Sequence, residues 1–523
     1  MVKKTLIFIF HAHVPYICNK DETESIEQVQ FFEMLSYGFL PFLRMCSRLE
    51  AERISFKCAL VISPLLCEML KSPFCRDQYA VYLDKLIAFA EQELNRTADP
   101  AQQALIKFHL DFITLNRKDF ISLYKKDILK KINAFAATGA IELLATSATP
   151  CFFPFYQNMP QALIAQLELG LGSFREDFAA VPSGFWLPAM GYNTGLDHLL
   201  KSYGIDYTIL ESQSFLFANR PPAHGVFSSA LSESGLTVLG KDCIACADIA
   251  NPETGFYRAS AYLNTDKDIG FELDDKTLLP LFNTKHGRRT TGFCYYRRDG
   301  GKYDAKASAV QAEKDAERFI ANRADVLSEA QELLDTDPVC SAAVLPLRFL
   351  GKDWFEGMQW LESVFRKLAQ RQDMDCSLPS AYLKKVRRIQ SITPFYASNL
   401  PSGYADELIN SSNDWMFPLI QKATERMIDL AKRFPNDQGL KERTLNMAAK
   451  EILLAQSMDW PLMTDAQSCS EYAAEQYKEH INTFTAIYES LGSGAVSTDR
   501  LIKREKEYPI FSEIDYRFFI QQT

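Results

Sequence analysis

Short, unbroken apolar runs, each followed by a stretch of helical periodicity, constrain the fold of this chain more than any other feature. The runs are Thr5–Phe10, Phe56–Ile62, Ile141–Ala145, Gly184–Leu187, Tyr207–Leu210, Thr290–Tyr296 and Ala342–Leu347. They are continuous rather than alternating, as expected of strands covered on both faces of a parallel sheet. Helical patterns at Gln161–Phe178, Gly195–Tyr203, Ala307–Leu334 and Trp354–Gln370 lie among them. Such alternation over about 390 residues predicts an α/β fold, either a barrel or a doubly wound sheet. The chain lacks a G-x-G-x-x-G after a strand, a G-x-x-x-x-G-K-[ST] and a G-x-S-x-G. Dinucleotide, P-loop and serine-hydrolase chemistries therefore lack their phosphate cradle or nucleophile elbow.

Two stretches break the alternation. From about Ser72 to Gly139 the pattern is wholly helical, which predicts an insertion after the second strand. From about Thr393 onward helices return without intervening strands, including runs through Trp415–Phe434 and Lys441–Met458. That pattern predicts a separate helical C-terminal domain.

Composition narrows the function classes. The 523 residues are 47% hydrophobic, enough for a large core. Acidic residues outnumber basic ones 66 to 57, so a chain-wide nucleic-acid footprint is not expected. Of the twelve cysteines, only Cys243 and Cys246 have C-x-x-C spacing, with no second pair to complete a zinc site. Reduced, partly buried thiols are the expectation, with a redox role for that pair as the alternative. No metal or other cofactor is called for. The opening MVKKTLIFIF resembles a signal peptide, but its apolar run ends at His11, Ala12 and His13, too short for an h-region. No stretch approaches the roughly 18 apolar residues of a membrane span. A soluble, cytoplasmic protein with no membrane partner is expected.

His11 and His13 sit just past the first strand. Residues two apart at a strand end point the same way, so both imidazoles can face one cleft. Hydrogen bonding to a hydroxyl-rich substrate needs no third ligand, whereas metal binding does; a purely structural pair is the bland alternative. Gly184-Phe185-Trp186-Leu187-Pro188 then runs into Ala189-Met190-Gly191-Tyr192, placing an aromatic at a strand end. In a barrel such a position walls the active site, although an ordinary core tryptophan fits the local pattern as well.

HAHVPY at 11–16, IELLATSAT at 141–149, GFWLP at 184–188, GKDWFEG at 351–357 and EIDYRFF at 513–519 occur in this order. Together they resemble glycoside hydrolase family 57, most of all its 1,4-α-glucan branching enzymes and amylase-like relatives, across essentially the whole chain. The resemblance implies an incomplete, seven-stranded (β/α) barrel drawn from residues 1–71 and 140–392. It also implies a helical insertion at 72–139 and an all-helical C-terminal domain at 393–523.

Retaining glycoside chemistry needs two carboxyl groups about 5 Å apart, a nucleophile and a general acid/base. The resemblance puts the nucleophile directly after W-L-P, where this chain has Ala189. It puts the general acid, an Asp, in a run like F-D-A-E-L-F-G-H-W-W-F-E-G. Here that run is LPLRFLGKDWFEG, and the position holds Pro346. Pro150 stands at a family histidine, Lys352-Asp353 at the H-W pair, and Tyr404 and Tyr296 at two substrate-side tryptophans. His11, His13, Trp186, Tyr192 and Trp354 are retained, and with Tyr296 and Tyr404 they form the expected substrate wall. Glu211 and Asp353 are the carboxylates available as substitutes. Their bland readings are a polar strand end and, for Asp353, a helix N-cap in a capping box with Glu356.

The expectation is a family 57-like pseudoenzyme that binds α-1,4-glucan or a maltooligosaccharide, or that regulates α-glucan metabolism through a protein partner. The alternatives are a working branching enzyme or α-glucanotransferase using replacement carboxylates, and an interaction scaffold without sugar affinity. The stretch 285–302 carries Lys285, Arg288, Arg289, Arg297, Arg298 and Lys302 against Asp299 alone. It is expected to be a solvated loop, with phosphate or anion binding as the other reading.

Overall fold

The computed structural model describes residues 4–17, 26–282, 287–334, 337–467, 469–493 and 497–520. Ten strands occur among them. They are β1 (Lys4–Ala12), β2 (Cys58–Ile62), β3 (Ile141–Thr146), β4 (Gly184–Trp186), β5 (Tyr207–Leu210), β6 (Ser229–Leu231), β7 (Thr237–Gly240), β8 (Cys340–Pro346), β9 (Met374–Cys376) and β10 (Gln390–Ser391). Six of the seven expected runs are strands. The described residues divide into two compact units, one from 1–60, 69–142 and 242–388, the other from 61–68, 143–241 and 389–523.

In the first unit β1 pairs in parallel with β8, from Thr5 opposite Cys340 to His11 opposite Pro346, and in parallel with β9. Leu6 to Phe10 are almost wholly buried, so the run carries no alternation to read. Phe8 packs against Phe319 of the helix Ala305–Leu334 and against Trp360 and Phe365 of the helix Gly357–Leu368. The helices Pro73–Arg96, Pro100–Lys118 and Ile128–Ala137 occupy the expected insertion. Ser72, Asp99 and Asp127 cap them with side-chain oxygens, and proline opens the first two, where a missing N–H costs nothing.

Thr290–Tyr296 is not a strand. The Asp268 carboxylate accepts the amides of Thr291 (2.9 Å) and Gly292 (2.7 Å) and the Thr291 hydroxyl (2.7 Å). Gly292 lies at φ +85°, and only isolated bridges form nearby, at Cys294 and Tyr296. The apolar run reflects the burial of Phe293, Cys294 and Tyr295, while a side chain takes donors that a ladder would have used.

In the second unit β3, β4, β5 and β7 follow one another in parallel. A short antiparallel β6–β7 pair, which the sequence reading did not anticipate, lies beside them, with β10 parallel to β6. The helix Pro160–Phe178 follows β3. The C-terminal stretch is helical at Met416–Arg433, Leu440–Ala455, Ser470–Ser493 and Thr498–Glu507, as expected. No helix among the described residues is long and apolar enough to cross a membrane.

Candidate functional site

In the first unit, His11 lies within β1, one residue before its end at Ala12, and only His13 follows the strand, so the expectation that both sit past it is half right. Both are half-buried, with Ala12 buried between them. His11 sits opposite Pro346, the exposed last residue of β8. Proline there offers neither a proton nor an amide donor. Beyond it the rim is charged. Glu33 accepts an ion pair from Lys352, a second from Arg348 (3.5 Å) and the Thr290 hydroxyl (3.0 Å). Lys352 also donates to Thr290 (2.9 Å) and stands 5.5 Å from the centre of the Tyr37 ring. Burial acts to raise the Glu33 carboxyl, but the two cations outweigh it and hold it below its ordinary range. A carboxylate so held stays ionised and is a poor proton donor. Sequence reasoning missed Glu33, because nothing in local spacing links it to a lysine 319 positions away.

Asp353 is exposed in a turn, where its carbonyl accepts from Thr265 and Arg298 (both 3.3 Å). The expected capping box is absent. Glu356 occupies the N-cap of Gly357–Leu368 without a side-chain cap, because its carboxylate is buried and accepts the Leu263 amide at 3.1 Å. Trp354 is 1% exposed, with its ring 5.4 Å from Tyr262 and 5.3 Å from Trp360. Tyr296 is half-buried beneath the Lys267 ammonium, 5.4 Å from its ring centre.

The basic stretch is largely paired. Lys285, with His286, lies outside the described residues. Arg288 donates to Asp275 (2.7 Å) and to two carbonyls, while Arg289 is buried over Phe282. Arg297 pairs with Asp299 (3.0 Å), Arg298 with Asp266 (3.3 Å) and Lys302 with Asp99.

In the second unit, β4 ends at Trp186, 6% exposed, whose carbonyl accepts the Thr146 hydroxyl at 2.9 Å. The next turn holds Ala189 and Met190 both at φ 50°, a left-handed conformation that costs a non-glycine residue energy. The Ala189 methyl packs against the apolar cluster of Phe152, Leu408 and Met458. Its carbonyl accepts the Asn399 amide at 2.8 Å. Gly191 follows with no room for a side chain, since a Cβ there would stand 2.4 Å from the Phe152 ring. The carbonyl of Pro150 accepts the Met458 amide at 2.8 Å.

Tyr192 is 1% exposed. It donates its hydroxyl to Asp197 (3.3 Å) and accepts that of Tyr404 on its carbonyl (3.0 Å). Burial, with Asp197 beside it, pushes the Tyr192 phenol far above its ordinary value. Glu211 is buried, caps the helix Ser212–Leu216 through the Ser212 amide (3.1 Å) and pairs with Lys241. A carboxylate engaged on both oxygens has little freedom to attack or to shuttle a proton.

The second unit also holds a run of aromatic rings. Successive centroids from Phe217 to Phe395, Tyr396, Tyr404 and Phe152 lie 5.8, 4.1, 5.2 and 5.4 Å apart. Phe217 is 64% and Tyr396 49% exposed. The backbone holds this run in place, with the Phe395 amide on the Ser214 carbonyl (3.0 Å) and the Thr393 amide on Asn219 (2.8 Å). Of these rings the sequence reading singled out Tyr404 alone. The adjacent Phe395-Tyr396 pair was the available signal, but its partner Phe217 is remote in sequence.

A model of glycosyl hydrolase family 57 matches residues 7–242, and a model of the 1,4-alpha-glucan branching enzyme C-terminal domain matches 419–519. The 1,4-alpha-glucan branching enzyme TK1436 of Thermococcus kodakarensis is 23% identical over 520 residues, covering 94% of this chain and 74% of that protein. The crystal structure of the α-amylase AmyC from Thermotoga maritima superposes with a TM-score of 0.91 at 26% identity, covering all of both chains. The branching enzyme from Pyrococcus horikoshii superposes at 0.90 with 20% identity, covering 99% of this chain and 97% of that one, a likeness of fold alone. The fold class is therefore the (β/α)7 barrel of these neighbours, with a helical C-terminal region.

Proposed function

We propose that this chain, whose glycosyl hydrolase family 57 and branching-enzyme C-terminal matches place it in the branching-enzyme family of α-glucan metabolism, binds α-1,4-glucan without cleaving or branching it. One observation carries the reading: where the family resemblance puts the nucleophile, the Ala189 methyl packs against Phe152, Leu408 and Met458. A methyl group neither attacks an anomeric carbon nor ionises, and its apolar surroundings would disfavour a carboxylate. Pro346, at the position assigned to the acid, supports the same reading. The surroundings of the two substitute carboxylates argue against either as a replacement: Glu211 is tied to Lys241 and a helix cap, and Asp353 sits exposed in a turn. Loss of one catalytic carboxylate costs orders of magnitude in rate, and the two roles depend on each other.

Glucan affinity is supported by the exposed rings of Phe217 and Tyr396 in a run reaching Tyr404. Aromatic faces offer large apolar area at low entropic cost to the C–H face of a sugar ring. His11 and His13 are assigned as hydrogen-bonding groups toward the same ligand class. The absence of a disulfide among the described cysteines fits a reducing, cytoplasmic setting.

Incubation with amylose, followed by assay of reducing ends and of new α-1,6 linkages, is expected to show neither. Turnover at rates typical of enzymes would sink the proposal in favour of replacement carboxylates. Calorimetric titration with maltoheptaose is expected to show binding that weakens at least tenfold in a Phe217→Ala, Tyr396→Ala double variant. No binding by the native chain would favour an interaction scaffold without sugar affinity.

A further inference from the structure

We propose that Cys243 and Cys246 are a reversible dithiol–disulfide pair, oxidised by low-molecular-weight disulfides of the glutathione type, and that oxidation loosens the outer end of β8. The two cysteines are the first and fourth residues of the helix Cys243–Ala250. Side chains three apart on a helix share a face, with Cβ atoms about 5–6 Å apart. A disulfide needs roughly 3.5–4.5 Å, so the first turn has to tighten by about an ångström or more. A helix's opening turn, which lacks the full set of backbone bonds, is where such an adjustment is easiest.

Exposure singles out Cys243, and helical spacing gives it Cys246 as partner, whereas the other half-buried thiols, Cys376 and Cys469, lie elsewhere in the sequence. Cys243 is the one exposed thiol among the described residues. Seven others, Cys46, Cys58, Cys67, Cys75, Cys151, Cys294 and Cys340, are buried. Burial pushes the Cys58 and Cys340 thiols up to about 12, which leaves them inert as nucleophiles. Cys246 is half-buried and already oriented: its Sγ accepts the Val344 amide at 3.3 Å and donates to the Val344 carbonyl at 3.4 Å.

The exchange balances without any further reactant. The Cys243 thiolate attacks one sulfur of the small disulfide RSSR, whose S–S bond breaks and releases RS⁻, which takes up a proton. Cys246 loses its proton to solvent and attacks Cys243 Sγ, expelling the second RS⁻. Two protein thiols are oxidised to one disulfide, and RSSR is reduced to two RSH. An excess of small thiol drives the reverse.

The structural consequence follows from what holds this helix to β8. The Asp242 amide donates to the Ala342 carbonyl (2.9 Å), the Ser341 hydroxyl donates to Asp242 (2.6 Å), and Arg323 pairs with Asp242 (2.8 Å). None of these contacts involves sulfur, so they persist. The two Cys246–Val344 bonds do not, because a disulfide sulfur has no proton to donate and must turn toward Cys243. Val344 is two residues before Pro346, so the change falls on the last rungs of the strand.

The experiment equilibrates the full chain in glutathione buffers of graded oxidised-to-reduced ratio, blocks free thiols with an alkylating reagent and digests with trypsin. Cleavage after Lys241 and Arg258 releases both cysteines in one peptide with no others. The expected result is complete and reversible loss of alkylation at both positions, with that peptide lighter by two hydrogens. Cys246→Ser, which keeps a donor and an acceptor toward Val344, is expected to trap a glutathione adduct on Cys243. Cys243→Ser is expected to leave Cys246 alkylatable at every ratio. Hydrogen exchange at the Val344 amide is expected to quicken about tenfold on oxidation, as for a lost local bond. Full alkylation of Cys243 under oxidising conditions, or a stable glutathione adduct in the native chain, would overturn the pair. A disulfide that forms with unchanged exchange at Val344 would overturn the link to β8.

Discussion

At the end of β8 the chain exposes Pro346, and the segment that follows carries Arg348 and Lys352, paired with Glu33; in the turn after β4 it packs Ala189 against Phe152, Leu408 and Met458. Both positions are where the family resemblance puts a carboxyl group, yet their surroundings differ in kind. After Pro346 the segment carries charge, and the buried Glu33 carboxylate is clamped by its Lys352 and Arg348. Around Ala189, which is half-buried, the side-chain contacts are apolar. The first environment favours an introduced charge more than the second, where it would lie against apolar side chains. An absent residue therefore tells less about lost chemistry than the environment that the remaining side chains make.

Four substitutions sharpen or break that contrast. Ala189→Glu is expected to lower stability by about 2–3 kcal/mol, the scale of placing a charged group against apolar surface. Urea unfolding measures it, and a cost near zero would erase the distinction between the two sites. Lys352→Met leaves Glu33 to Arg348 and Thr290 and is expected to cost about 1–2 kcal/mol at neutral pH, less than for a pair broken outright.

The same variant carries a pH signature. Glu33 is held below its unfolded value, so its contribution is fully present above the usual carboxylate range near pH 4 and is lost as pH falls through the folded-state value. Removing Lys352 is expected to shrink this acid-side loss, read as a flatter fall in unfolding midpoint below pH 5. Tyr404→Phe removes the hydroxyl that donates to the Tyr192 carbonyl and is expected to cost about 1 kcal/mol by the same denaturation. Pro346→Asp, at an exposed position, is expected to stay within about 0.5 kcal/mol of the native chain. It is also expected to leave the chain without branching activity in the amylose assay, since a general acid alone has no nucleophile to assist.

The strands were legible wherever burial and strand geometry coincide. β1, β5 and β8 are apolar runs because both faces are covered, and the sequence shows that directly. At Thr290–Tyr296 burial occurs without a ladder, and a local reading has no means of seeing Asp268 arrive from another loop to take the amides. The site was legible to the extent that it rests on motifs. Ala189 and Pro346 stand out against the family pattern, but Glu33 meets Lys352 only through the fold. Trp354 kept its motif, yet its ring packs with Tyr262 and Trp360, a packing that no motif encodes.

The cluster behind Ala189 also bears on how substitutions at this turn depend on one another. A carboxylate at position 189 is expected to cost less once Phe152, Leu408 or Met458 gives way to something smaller or polar, because contacting residues do not contribute independently. In a library randomised at these four positions, acidic residues at 189 should survive selection for folding chiefly alongside a second change. The turn is a place where the order of mutations matters, and where a single change to an ionisable residue meets resistance from the side chains around it.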